Sequence, residues 1–177
     1  MQLIIELPGR EQQMDFNRQR WAELSVDSVV AELPFRIETN AHGQILMSPP
    51  PSGEHSYRQT RILLMLQKLL GGQPLSECPV STIDGVRAID VGWYTEERFR
   101  EVRHHQAFER APEICVEVIS PGNTALQMKQ KKQLYFEAGA EEVWLCHNDG
   151  RMEFFSRLEP ETSKSVSQIC PDFPTDL

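Results

Sequence analysis

The stretch Glu113-Ile114-Cys115-Val116-Glu117-Val118-Ile119, then Ser120-Pro121-Gly122-Asn123, then Thr124 through Gly139, decides how this chain folds. Its first seven residues are short, β-branched and apolar, the composition of a strand buried on both faces, yet they carry a carboxylate at Glu117. A buried carboxylate requires a partner. Ser120 to Asn123 is turn chemistry, and Thr124-x-x-Gln127 has the form of a capping box, so the pattern predicts a helix from Ala125 that stops at Gly139. That helix carries Lys131, a cation that can face Glu117. A strand, a helix and the next apolar run, Glu142-Val143-Trp144-Leu145-Cys146-His147, make a β-helix-β unit, which demands a parallel, right-handed crossover.

Working outward, Arg151-Met152-Glu153-Phe154-Phe155 pairs back on Glu142–His147 through Asn148-Asp149-Gly150, a hairpin that closes the sheet. Upstream, Val80-Ser81-Thr82-Ile83 and Val86 to Trp93 flank Asp84-Gly85, the tightest hairpin signal present, with Pro74 and Pro79 assigned to a preceding connector. Phe35-Arg36-Ile37-Glu38 and Gln44-Ile45-Leu46-Met47 form another hairpin around Asn40 to Gly43, and two antiparallel strands here are expected to open the sheet. Ser48 to Gly53, with three prolines, is a connector. Glu54 to Leu70 is the strongest helix, with Ile62, Met65, Leu66 and Leu69 on one stripe and Gly71-Gly72 at its end. Residues 11–24 suggest a short amphipathic helix through Phe16, Trp21 and Leu24. Thr95 to His105 is charged and reads as a short helix or an excursion on the surface. Residues 158–177, with three prolines, read as a loosely attached tail with room for one short strand or turn. Mixed α+β architecture follows, a central mixed sheet flanked by helices.

The chain has 177 residues, of which 40% are apolar, enough for one core without metal or disulfide staples. Its net charge of −8 argues against tight non-specific nucleic-acid binding by the whole surface, though a local basic groove would not show in that sum. Cys78, Cys115, Cys146 and Cys170 have no zinc-like spacing and read as reduced thiols. Met1 to Glu6 has too short an apolar run for a signal peptide, and no segment approaches a membrane span, so a cytoplasmic protein is expected.

Candidate chemistry sits on three elements. In the strand Val86–Trp93, Ile89, Val91 and Trp93 are expected on one face and Asp90 on the other, between Ala88 and Gly92, small neighbours that leave room for a ligand. If that strand pairs with the Glu117 strand, two carboxylates converge, a set suited to an oxygen-seeking cation such as Mg²⁺, with the Val118 main-chain carbonyl as a third oxygen. Lys131 then points its ammonium at a water or a phosphate oxygen beside it. Acid, acid, lysine is a hydrolytic set. The bland alternatives stand beside it: Asp90 in a salt bridge to Arg87 or Arg103, Glu117 paired structurally, and Gln130-Lys131-Lys132 on a solvated face. His55, seven residues before Ile62, lies at the entry of the helix's buried face, either as a capping and packing group or as a functional one.

These residues resemble the Uma family of restriction-endonuclease-like proteins. The resemblance rests on Phe35-Arg36-Ile37-Glu38, Gly43 to Pro50, His55, Arg87-Ala88-Ile89-Asp90-Val91, Pro112 to Pro121, and Lys131 with Tyr135 and Ala138 to Trp144. It covers about residues 15–156. It implies a PD-(D/E)XK nuclease fold, a single restriction-endonuclease-like domain over 1–177 with a helical extension at 10–27 and a tail at 158–177. It further implies a Mg²⁺- or Mn²⁺-dependent endonuclease acting on nucleic acid, DNA first, with Asp90 and Glu117 as metal ligands, Val118 lending its carbonyl, and Lys131 orienting or activating water. Glu38 matches a position that can supply a further metal or water ligand, and His55 one that can contact a phosphate or act as a base. Because a duplex has two strands to cut, a homodimer is expected.

Three departures from the family pattern bear on activity. Ile89 replaces the proline before the aspartate. Ile119 stands where the motif lysine belongs, so a lysine from the following helix, matching Lys131, is expected to substitute. Gln127 and His147 occupy positions where relatives often carry an acid and an aspartate. Two other readings stay open, a nuclease-fold binding module without turnover for nucleic acid or a protein partner, and a hydrolase of small phosphorylated molecules.

Overall fold

Two helices begin the computed structural model, which describes residues 8–177. The Met1–Glu6 run lies outside the described residues. The helices are α1 (Arg10–Ser25) and α2 (Ser28–Ala31), followed by β1 (Arg36–Thr39), β2 (Ile45–Ser48), α3 (Gly53–Leu70), β3 (Gln73–Thr82), β4 (Gly85–Tyr94), α4 (Glu96–Val102), β5 (Ile114–Val118), α5 (Ala125–Glu137), β6 (Glu142–Cys146), β7 (Met152–Ser156) and β8 (Glu159–Lys164). Strands β3 to β8 lie side by side in chain order, and β5 with β6 is the parallel pair in an otherwise antiparallel sheet. Helix α5 is that pair's crossover, started by the Thr124/Gln127 capping box and followed by Gly139 at φ +109°.

The strands β4, β5 and β6 are buried at every residue. On one face α3 lays Ile62 and Leu66 over Val91, Trp93, Val116 and Trp144; on the other, α5 lays Met128, Tyr135 and Phe136 over Cys115, Val143 and Phe155. Leu69, expected on the α3 stripe, is 39% exposed, because the stripe turns away from the sheet in the last turn.

Four expectations are corrected. The β1/β2 hairpin makes its own two-stranded sheet and does not open the large one. It is clamped onto the β3/β4 turn: Thr39 Oγ1 accepts from Val86 N at 2.9 Å, and Gly85 lies so close to the Thr39 carbonyl that a Cβ would sit 2.2 Å from it. Pro74 and Pro79 lie within β3 instead of a connector, which the ladder tolerates because β3 is an edge strand. Helix α1 forms and buries Leu24 as expected, but it also docks through polar groups, Asn17 Nδ2 donating to Thr82 O at 2.8 Å and Gln13 Nε2 to Ala41 O at 2.8 Å, while Phe16 is exposed.

The fourth correction is the tail. Residues beyond 158 supply β8, so β7 does not end the sheet, and Cys170 and Phe173 enter the core beside Trp144. Their anchor is the buried Glu142 carboxylate, which accepts from Trp144 Nε1 (2.7 Å), Ser167 Oγ (2.6 Å), Gln168 N (2.6 Å) and Ile169 N (3.2 Å). A carboxylate holding several N–H groups is strongly charge-assisted. Glu142→Gln is therefore expected to cost about 1–2 kcal/mol and to open residues 165–177 to limited proteolysis before the sheet unfolds.

Candidate active site

Strands β4 and β5 pair only from Val91↔Val116 to Trp93↔Ile114. Beyond that the ladder ends, and the main-chain groups it would have paired must find side chains. Val118 N donates to Asp90 Oδ2 at 2.7 Å, Ala88 N donates to Glu38 Oε1 at 3.1 Å, and Arg36 donates to the Ala88 carbonyl. The site is this split between strands, filled from one side by the β1/β2 hairpin. The pleat of β4 is interrupted at the same point. Ile89 packs on the α5 face and Val91 and Trp93 on the α3 face, and Glu77, opposite in β3, has φ +50° and drops out of the ladder. The three apolar residues thus do not share one face as expected. Nor does Gly92 leave ligand space, since a Cβ there would lie 2.7 Å from Pro112 Cγ.

Asp90 and Glu117 are 1% and 4% exposed. Asp90 Oδ1 pairs with Arg36 Nη1 at 2.7 Å and lies 3.4 Å from Gln59 Nε2. Arg36 also pairs with Glu77 at 2.6 Å. Glu117 Oε2 accepts from Lys131 Nζ at 2.9 Å, and its Oε1 from the Tyr135 hydroxyl at 2.5 Å. Lys131 Nζ is 3.6 Å from Glu38 Oε1. His55 is buried, its Nδ1 3.2 Å from Ser120 Oγ and its Nε2 3.4 Å from Asp90 Oδ2, out of alignment for a hydrogen bond. The five side chains singled out from sequence, Glu38, His55, Asp90, Glu117 and Lys131, therefore meet in one place.

The two acids titrate in opposite directions. Burial pushes Glu117 up to about 7; the Lys131 ammonium opposes that rise and the Asp90 charge adds to it. Burial also acts to raise Asp90, but His55, Arg36 and the Val118 N–H outweigh it and hold the group below its ordinary value. Of these three, Arg36 and Val118 have hydrogen-bond geometry, so they are the contacts that keep Asp90 ionised. For Lys131, burial works against the charge, yet Glu117 and Glu38 raise it above its ordinary value, so the ammonium persists at neutral pH.

Among the described residues, no three His, Cys, Asp or Glu side chains converge as a metal cage. Mg²⁺ does not need one, since it is commonly held by one or two carboxylates plus substrate phosphates. The donor set fits that habit. Val118 N points toward Asp90 while Ile119 N points the other way to Cys146 O; in an extended strand the N–H and C=O of one residue share a side, which turns the Val118 carbonyl toward Asp90 too.

The bland alternative for the lysines fails. Lys132 is not on a solvated face; it is 7% exposed, with Nζ 3.9 Å over the Phe155 ring. Gln130 alone of that trio is fully outside. Sequence reasoning gave no role to Arg36, Gln59, Glu77, Ser120 or Tyr135. Three of them were within reach by period: Arg36 is two residues from Glu38 on a strand, Gln59 four from His55 and Tyr135 four from Lys131 on helices. A cleft of about 570 Å³ shares Arg36, Gln59 and Glu77 with the site and is walled by Phe35, Pro50 and Leu63.

A search of curated proteins found no match. Among solved structures, one from Anabaena variabilis, titled as a "putative nuclease belonging to DUF820", superposes with a TM-score of 0.64 at 16% identity, covering 82% of this chain and 91% of that one. That likeness shows the fold, a six-stranded mixed sheet flanked by helices. The family profile described as "Putative restriction endonuclease" matches residues 26–174, a span that includes every one of the converging side chains, and the chain belongs to that family, Uma2.

Proposed function

We propose that the chain is a divalent-metal-dependent endonuclease that hydrolyses phosphodiester bonds of nucleic acid, DNA first. The observation that carries this reading is the Lys131 ammonium lodged between Glu117 and Glu38, on the far side of the strand split from Arg36-paired Asp90. Asp90, Glu117 and the Val118 carbonyl would hold Mg²⁺ or Mn²⁺, which when bound polarises a phosphodiester and acidifies water. Tyr135 and Lys131 fix both Glu117 oxygens in orientation. Because Lys131 stays charged, it acts as a hydrogen-bond donor and cation toward the reacting phosphate and not as a base. His55 Nε2, buried without a hydrogen-bond partner beside Asp90, is the group free to meet a phosphate oxygen or a proton. We further propose a two-fold dimer in the soluble cytoplasm; among the described residues no helix is long and apolar enough to cross a membrane.

The test is cleavage of a panel of single-stranded, duplex and RNA oligonucleotides with Mg²⁺, Mn²⁺ or EDTA, using wild type and Asp90→Asn. Metal-dependent products from wild type, lost in Asp90→Asn, are expected. Retained binding with no cleavage under any metal would replace this reading with the binding module, and a strict monomer by light scattering would remove the dimer.

A further inference from the structure

The cleft of about 570 Å³ beside the acid centre is built by elements that also build the centre itself. One wall belongs to the β1/β2 hairpin, which sends Arg36 and Glu38 to the strand split and lines the cleft with Phe35, Pro50 and Pro51. The other is α3, whose Ser56, Gln59, Thr60, Leu63 and Leu64 recur at the three- and four-residue spacing of a single helix face. Glu77 of β3 joins the lining at φ +50°, a left-handed conformation that takes it out of the ladder and into contact with Arg36 at 2.6 Å and Gln59 Nε2 at 2.8 Å. Backbone strain of that kind persists where the surrounding structure enforces it, and ligand clamps are one such place.

The lining defines what the cleft takes. Its charged residues, Arg36 and Glu77, are paired with each other, which leaves no net charge to attract a phosphate. Its apolar residues stand open, Phe35 being 46% and Leu64 59% exposed. Exposed apolar side chains gathered in a concave surface with a few polar groups have the composition of a ligand pocket. The cleft is also continuous with the acid centre, because Arg36 Nη1 lies 2.7 Å and Gln59 Nε2 3.4 Å from Asp90 Oδ1. A phosphodiester held at Asp90 and Glu117 therefore brings a flanking nucleotide against these walls. Within a duplex that nucleotide presents charged backbone and a base hidden in the stack, which neutral apolar walls do not suit. Unpaired, it presents a flat, uncharged π-face, which they do.

Resting on the nuclease reading above, we propose that this cleft is a subsite for an unpaired nucleobase next to the scissile phosphate, so that the substrate is nucleic acid with an unpaired base at the cleavage position. Phe35 supplies the stacking surface, Leu63 and Leu64 the opposing wall, and Gln59 and Glu77 the polar edge that the base meets with its own hydrogen-bonding groups.

Fluorescence anisotropy in EDTA at low salt tests it without cleavage, using a labelled, non-self-complementary single-stranded DNA, a base-free deoxyribose-phosphate chain of the same length, and the fully paired duplex. Wild type should bind the single strand about tenfold or more tighter than the base-free chain or the duplex. Phe35→Ala should weaken single-strand binding about fivefold or more and leave the base-free chain unchanged. Leu64→Ala, on the opposite wall, should act in the same way, and both side chains are exposed enough for truncation to spare the core. Leu158→Ala, 90% exposed and outside the cleft, should match wild type. No binding of the single strand, equal binding of the base-bearing and base-free chains, a duplex bound as tightly as the single strand, or Phe35→Ala and Leu64→Ala both indistinguishable from wild type would each overturn the proposal. Metal-dependent cleavage alongside any of those results keeps the nuclease and removes only the base subsite. Base-dependent binding that is lost in Phe35→Ala, in a protein that cleaves under no divalent ion, keeps the base site and removes only the nuclease.

Discussion

Lys131→Met is expected to lower metal-dependent cleavage by on the order of 10² at saturating metal and substrate. The physical reason is that an ammonium 2.9 Å from Glu117 and 3.6 Å from Glu38 is fixed before substrate arrives, so the charge it presents to a phosphate needs no reorganisation. Methionine keeps the stem's packing and removes only that charge. Lysine 132 is unsuitable as the companion control, since its substitution would empty a cation site over Phe155. Lys68, exposed in the last turn of α3, is the appropriate one, and Lys68→Ala should stay within twofold of wild type. Single-turnover rates for both variants decide the matter. Equal losses at Lys131 and Lys68 would mean a diffuse electrostatic effect on nucleic-acid binding, and an unchanged Lys131→Met would remove the lysine from the mechanism.

Glu117 should leave a mark on stability as well. Its carboxyl is raised from an ordinary 4.5 to about 7, chiefly by burial, so the folded state holds a proton that the unfolded chain releases. A raised value means that the group's contribution is complete below about 4.5 and is lost as pH climbs through about 7. The difference corresponds to on the order of 3 kcal/mol. In EDTA, the urea midpoint of wild type relative to Glu117→Gln is therefore expected to fall between pH 5 and pH 8. A divalent ion must displace that proton, so added Mg²⁺ should stabilise wild type more at pH 8 than at pH 6. Parallel pH profiles for the two proteins would show that Glu117 is not the titrating group. Asp90, held low, acts only in acid, where its contribution disappears as pH falls below its ordinary carboxylate range.

The sequence by itself determined the elements that local chemistry controls. The Thr124/Gln127 cap, the Asp84-Gly85 turn and the buried composition of residues 114–118 each specify their structure within a few residues, and α5, the β3/β4 hairpin and β5 appear where those signals put them. Pattern reading brought Asp90, Glu117, Lys131 and His55 forward as candidates, and the family resemblance added Glu38, so that the five come from five different elements. What only the tertiary structure decided is where the strands stop pairing. Nothing in the order of residues 86–93 announces that β4 and β5 separate after Val91 and Val116, yet that separation exposes Ala88 and Val118 main-chain groups and draws in Arg36, Glu38 and Asp90 to satisfy them. The sequence already turned Lys131 toward Glu117, where the structure has it; what it left hidden is the neighbour of Lys132, because only the packing of α5 on β7 brings the Phe155 ring under that ammonium. The tail was misjudged because its prolines argue for a loop, while its anchor, the buried Glu142, lies more than twenty residues upstream and carries no local sign that its carboxylate reaches Ser167 and Gln168. Local signals set the elements; long-range satisfaction of buried polar groups sets how they meet.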